Sequence, residues 1–128
     1  KIIAEFRAND GNVGGPFENT PLLILHTTGA KSGLERVNPV AYITDNDRYV
    51  VVASKAGAPD NPDWYHNIVA NPEVSVEVGT EQFQATARVT SEPERTRLYD
   101  RMAAKNPGFA EYKQKTTRTI PVITLTRK

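Results

Sequence analysis

The chain has 128 residues, no cysteine, 24% charged residues and a formal net charge of +1. That length suits one domain able to bury about two thirds of its unfolded surface, and the lack of thiols excludes disulfides, thiolate catalysis and cysteine-ligated metal centres while fitting a reducing cytoplasm. The balanced charge shows no basic field of the kind nucleic-acid binders carry, and the longest apolar runs, LLIL and YVVVA, are strand-sized, well short of the about 20 residues that cross a bilayer.

Residues 2–9, IIAEFRAN, place apolar side chains at helical spacing and stop at DGNVGG, which predicts a short helix and a loop. No signal peptide is visible, and a start at Lys1 rather than Met leaves room for a preceding segment that brings the protein to a membrane surface. Strand-like runs PLLILHTT, RVNPVAYIT and RYVVVAS follow, with Asp45-Asn46-Asp47 turning between the last two. Residues 61–72, NPDWYHNIVANP, read as a helix with Pro62 at its start, Asp63 in its first turn, and Trp64, Ile68 and Val69 on one face. EVSVEVG and QFQATARVT alternate with period two and pair around Gly79-Thr80. SEPERTRLYDRMAAKNP begins with Ser91 and has Glu94 three residues on, the spacing of a capping box. PGFAEYKQKTT predicts a second, shorter helix, and IPVITLTR a closing strand.

About six strands whose connections do not alternate as βαβ units would predict a mainly β protein, a mostly antiparallel sheet curled into a small barrel with flanking helices. A barrel of that size is filled by its own side chains, so a ligand belongs outside it, in a groove walled by helices and loops.

The stretch TTGAKSGLERVNP, residues 27–39, bears on what that ligand is. A nucleotide-binding P-loop with Lys31-Ser32 as its Lys-Ser pair would need glycine where Leu25 and Ala30 stand, and would run into a helix rather than into ERVNPVAYIT. The dinucleotide fingerprint is absent too. A Gly-bounded cationic hairpin remains, compatible with a solvated turn or with a phosphate cradle.

A second stretch, VVVASKAGAPDNPDWYHN, residues 50–67, ends a strand in Ser54-Lys55, crosses a loop of small residues and enters a helix bearing Trp64 and Tyr65. Small residues let a flat ligand approach the backbone, helix-start N–H groups attract anions, and aromatic rings offer a wall. A core role for Trp64 stays equally open. His26, in an apolar strand, reads as a satisfied core or rim histidine rather than a base. Asp60, Asp63 and His66 have loose metal-ligand spacing without a second cluster, which argues against a metal. Glu92, Glu94, Arg95 and Arg97 read as a solvated helix face. Ser54 has no triad partners signalled, and no G-x-S-x-G motif is present, which disfavours acyl transfer.

Together, GGPFENTPLLILHTTGAKSGLERVNPV, RYVVVASKAGAPDNPDWYHNIVANPEVSVEV and the terminal TRTIPV resemble the deazaflavin-dependent nitroreductase and quinone reductase family, the actinobacterial enzymes that use coenzyme F420, over almost the whole chain. The resemblance implies a split β-barrel related to that of FMN-binding oxidoreductases, and hydride transfer from reduced F420 to a quinone-like or nitroaromatic acceptor. It implies that Ala30, Lys31, Ser32 and Arg36, with Gly33, hold the coenzyme's phosphodiester and acidic tail. Val37, Asn38, Pro39, Val40 and Ala41 match the strand beneath the coenzyme. Val52, Ala53, Ser54, Lys55 and Gly57 match the border of its ring, and Asp63, Trp64, Tyr65, His66 and Asn67 the helix start that closes the site. Asn106, Phe109 and Tyr112 match positions flanking the acceptor, with Tyr112 and Ser54 as the catalytic candidates. Nitro-reducing relatives carry tyrosines where Asn106 and Phe109 stand, so reduction of a quinone, whose product takes protons from water, is the better fit. A non-catalytic deazaflavin carrier and an FMN enzyme on the same fold are the alternatives. Partners are expected to be small molecules rather than nucleic acid, the location cytoplasmic with peripheral membrane contact open, and the state a monomer or weak dimer.

Overall fold

The computed structural model describes residues 2–9, 21–54, 61–116 and 119–128. Its elements run α1 (Ile2–Ala8), β1 (Leu22–Thr28), β2 (Glu35–Asp45), β3 (Arg48–Val52), α2 (Asp63–Ala70), β4 (Glu73–Val78), β5 (Glu81–Val89), α3 (Glu94–Lys105), α4 (Gly108–Lys115) and β6 (Val122–Arg127). The six strands close a barrel in the order β1-β2-β3-β6-β5-β4, and every neighbouring pair is antiparallel. Closure removes the unpaired strand edges that would otherwise recruit another chain.

Burial along each strand tells which faces are covered. β5 alternates, with Phe83, Ala85 and Ala87 inward and Gln82, Gln84 and Thr86 in solvent, as a strand with one wet face does. β1 is buried at six consecutive positions because both of its faces are covered. Leu23 and Leu25 join Val51, Val74, Val76, Phe83, Ile123 and Leu125 in the barrel core, while Leu22 and Ile24 pack outward against Phe6 of α1. The interior is thus filled by side chains. A second outer core puts Leu98, Tyr99 and Met102 of α3 on Ile43, Val50, Val52 and Val122.

Polar contacts pin the helices to the barrel. Arg7 of α1 grips Glu77 of β4 through two bonds of 3.0 and 2.7 Å, and Glu77 also lies 2.6 Å from Nε2 of His26. The Arg7 guanidinium, then the His26 contact, hold the Glu77 carboxyl down at about 2. On the opposite side Asp45, 6% exposed, collects Arg48, Arg101 and Arg97 at 2.5, 2.8 and 3.3 Å and joins the β2–β3 turn to α3.

Three expectations are corrected. Ser91 does not cap α3. The Glu92 carboxylate accepts the Thr96 N–H at 3.0 Å, and the cap position falls on Pro93. A charged oxygen outcompetes a hydroxyl for the helix-start donors. The charged face of α3 is not simply solvated, since Arg95 donates to the Ile120 carbonyl at 3.0 Å and Glu94 bonds Arg48 at 3.0 Å. Val69 points to solvent, 60% exposed, and Asn67 takes the place beside Trp64 and Ile68 on the buried face of α2.

Candidate functional site

The turn between β1 and β2 is built by its glycines. Gly29 N–H donates to the Leu34 carbonyl at 2.7 Å, and Gly33 N–H to the Gly29 carbonyl at 2.9 Å. Gly33 has φ +70°, a left-handed conformation that side chains disfavour. At Gly29 a Cβ would stand 2.4 Å from Ser32 Oγ and 3.2 Å from the Leu34 carbonyl oxygen. The Ser32 hydroxyl accepts the Leu34 N–H at 3.2 Å, so it shapes the loop. Between these bonds the N–H groups of Lys31 and Ser32 engage no described residue.

Helix α2 faces this turn. Trp64 and Ile68 sink into the barrel core, and Asn67, one turn on from Asp63, reaches the hairpin. Its Oδ1 accepts the Ala30 N–H at 2.9 Å and its Nδ2 donates to Thr27 Oγ1 at 3.2 Å. Hairpin and helix enclose an open cleft of about 990 Å³ lined by Gly29, Ala30, Lys31, Ser32, Glu35, Arg36, Val37, Asn38, Asp63, His66 and Asn67. Its position outside a filled barrel agrees with the expectation from barrel size.

The cleft brings together nine of the residues the sequence singled out, from Ala30 through Asn38 on the hairpin and from Asp63 to Asn67 on α2. Gly29 and Glu35 also line it, and sequence reasoning passed over both. Gly33 sits in the turn without lining the cleft, and Pro39, Val40 and Ala41 continue up β2, where Val40 packs on the barrel core and Ala41 on the α1 side. Val52, Ala53 and Ser54 are buried at the end of β3, with Ala53 N–H donating to the Pro121 carbonyl at 2.9 Å. Trp64 belongs to the barrel core, and Tyr65 packs against that core with its ring edge-on to His66. Lys55, Gly57 and Asp60 lie outside the described residues.

Asn106, Phe109 and Tyr112 are elsewhere, on the α3–α4 side. Phe109 and Tyr112 pack edge to face at 5.3 Å over the outer core, Tyr99 OH donates to the Phe109 carbonyl at 2.5 Å, and Asn106 caps α3. None of the three lines the hairpin–α2 cleft.

Lys31 and Arg36 make no ion pair with any described residue, and both are exposed. Glu35 is their nearest carboxylate in sequence, and it leans toward His26, 3.4 Å from Nδ1. His26 is therefore partnered through Nε2 to Glu77 and does not reach the cleft lining. Two cations that make no ion pair among the described residues, beside two backbone N–H groups that engage none of them, form a donor set that suits an anion even with Glu35 and Asp63 in the same lining. Among the described residues no cluster of three or more His, Cys, Asp or Glu could hold a metal. No helix is long and apolar enough to cross a membrane among the residues described.

The sequence model of a family described as F420H(2)-dependent quinone reductase matches residues 1–127. An F420H(2)-dependent quinone reductase of Mycobacterium tuberculosis is 40% identical over 129 aligned residues, covering 98% of this chain and 87% of that protein. Among solved structures, an F420-H2 dependent reductase (FDR-A) superposes with TM-score 0.76 at 42% identity, covering 82% of this chain and 93% of its own. A structure described as a domain-swapped dimer gives TM-score 0.77 at 39% identity over 96% and 90% of the two chains. The heme storage protein HutZ of Vibrio cholerae, at 18% identity and TM-score 0.66, shares the fold alone.

Proposed function

The chain belongs to the F420H(2)-dependent quinone reductase family, and on that premise we propose how its own residues divide the work of an F420-dependent oxidoreductase acting on a quinone. When bound, reduced coenzyme F420 supplies the hydride that a quinone accepts. Lys31 and Arg36 hold the coenzyme's phosphodiester and acidic tail, aided by the free N–H groups of Lys31 and Ser32. The glycine at 29 keeps that loop tight, and Gly33 supplies the left-handed turn that lets the chain return into β2. Asp63, His66 and Asn38 complete the cleft around the same end of the ligand.

The donor set fits this coenzyme, because a phosphate and glutamate-type carboxylates need cations and N–H donors that no described residue occupies. Charge-assisted bonds of this kind contribute about 1.5–3 kcal/mol each. Ser54 and the end of β3 border the ring, and Phe109 and Tyr112 shape the acceptor's surroundings from α4. Ser54 at the end of β3 and Tyr112 on α4 are the catalytic candidates. The observation that carries the assignment of roles is the pair of cations, Lys31 and Arg36, standing on one wall of the cleft without carboxylate partners among the described residues.

The test mixes the protein with reduced F420 and menadione and follows the return of the oxidised coenzyme's absorbance. Catalytic reoxidation that falls in Arg36→Ala through a raised KM for the coenzyme supports the reading. Binding without turnover would make the protein a carrier, and turnover indifferent to Arg36 would remove the hairpin from the site.

A further inference from the structure

We propose that Asn67 is a positioning residue: a buried amide strut on α2 that sets where the two hairpin cations stand, acting through Thr27 and Ala30. The inference rests on the reading of the hairpin as the coenzyme's anion site, and it gives Asn67, at the edge of the cleft lining, the task of fixing the hairpin.

Asn67 is 7% exposed and Thr27 3% exposed. The orientation of the amide follows from chemistry, because a backbone N–H only donates, so the atom 2.9 Å from Ala30 N must be oxygen. The nitrogen then points at Thr27 Oγ1, 3.2 Å away. Each end of the strut meets a residue coupled to one cation. Thr27 is the ladder partner of Arg36, and Ala30 immediately precedes Lys31. The helix carrying the strut is itself fixed, with Trp64 and Ile68 in the barrel core.

A leucine would satisfy the apolar face of α2 better than asparagine, which is also a poor helix former. A buried amide is tolerated where both of its ends are bonded and is costly otherwise. Removing it would take the protein partner from the Ala30 N–H and strand the buried Thr27 hydroxyl together. Beyond the Thr28–Glu35 rung the hairpin tip would then be tied only by its own short turn bonds, and its cations would sample positions that converge less well on one anion. Asp63 and His66 project from the same helix into the same cleft, so the strut also fixes the distance between the two walls.

The experiment uses the full chain in four forms: wild type, Asn67→Leu, Thr27→Val and Thr27→Ser. Two quantities are read: the dissociation constant for oxidised coenzyme F420 by fluorescence titration, and hydrogen exchange at the Ala30 amide relative to the Leu23 and Val51 amides in the core. Asn67→Leu should speed Ala30 exchange by at least about tenfold, leave the core amides within about twofold, and weaken F420 binding by about tenfold or more. Thr27→Val, which keeps shape and removes one bond, should give a smaller change of the same pattern, and Thr27→Ser should behave as wild type. If Asn67→Leu fails to fold, Thr27→Val against Thr27→Ser carries the test. Unchanged Ala30 exchange and unchanged affinity would overturn the strut, as would acceleration spread equally over all amides. A wild type that does not bind F420 would strike the functional reading instead, while Ala30 exchange would still decide whether the strut exists.

Discussion

Thr27 and Arg36 are direct partners on the β1–β2 ladder, so a buried residue and the cleft's guanidinium-bearing residue share one rung. The side chain of Arg36 leaves that rung for solvent and contacts no described carboxylate. Removing it should therefore cost the fold little. Arg36→Ala is expected to weaken coenzyme binding ten- to more than a hundredfold, about 1.5–3 kcal/mol, with a melting temperature close to wild type. Calorimetric binding and thermal unfolding on the same preparation check both halves.

Because Lys31 and Arg36 are exposed, their attraction for an anion is screened by salt. Affinity should fall steadily from about 20 to about 300 mM salt, where the screening length contracts from over 20 Å to below 8 Å. Lys31→Ala and Arg36→Ala should each flatten that dependence. Titrations at four salt concentrations suffice.

The two turn glycines should respond differently. Gly33→Ala meets no neighbouring atom within 4 Å and introduces only left-handed strain at φ +70°, about 1 kcal/mol. Gly29→Ala drives a methyl against Ser32 Oγ, which must swing away from the Leu34 N–H, and crowds the Leu34 carbonyl. Coenzyme affinity should drop further for Gly29→Ala than for Gly33→Ala, as binding titrations of the two variants would read.

Asp45 offers a pH signature away from the cleft. Bonds from Arg97 and Arg48 hold its carboxyl at about 2, below the ordinary 3.8. A pKa depressed in the folded state gives stability that is complete above about 3.8 and drains away as pH falls toward 2. Asp45→Asn should cost about 1–2 kcal/mol at pH 7, a figure tempered by the half-exposed Arg97 and Arg101. The gap from wild type should close as denaturation is repeated at pH 4, 3 and 2.

The elements were legible where local chemistry decides them. The alternation of EVSVEVG and QFQATARVT falls on β4 and β5, the turn around Gly79-Thr80 joins them, Pro62 precedes α2, and the turn expected at Asp45-Asn46-Asp47 is there with Asp45 closing β2. Capping at α3 was misread because two acceptors, Ser91 and Glu92, compete for one set of donors and only geometry ranks them. The cationic hairpin was visible as a string, but its local pattern suited a plain turn equally well, and the family resemblance tipped it. What no pattern could disclose is the link from Asn67 to Thr27 and Ala30, since those contacts span 40 and 37 positions of the chain. The Asp45 arginine hub is hidden for the same reason, with Arg97 and Arg101 more than 50 residues away from it.

The most direct measurement compares two ligands on two proteins: intact coenzyme F420 and its phosphate-free deazaflavin nucleoside, each titrated into wild type and Arg36→Ala. If the hairpin grips the acidic end, wild type should lose about tenfold or more in affinity when the phosphate and tail are absent, and Arg36→Ala, which keeps Lys31, should lose clearly less than wild type does. Equal losses in both proteins on removing the tail would place the coenzyme's charge somewhere other than against Arg36.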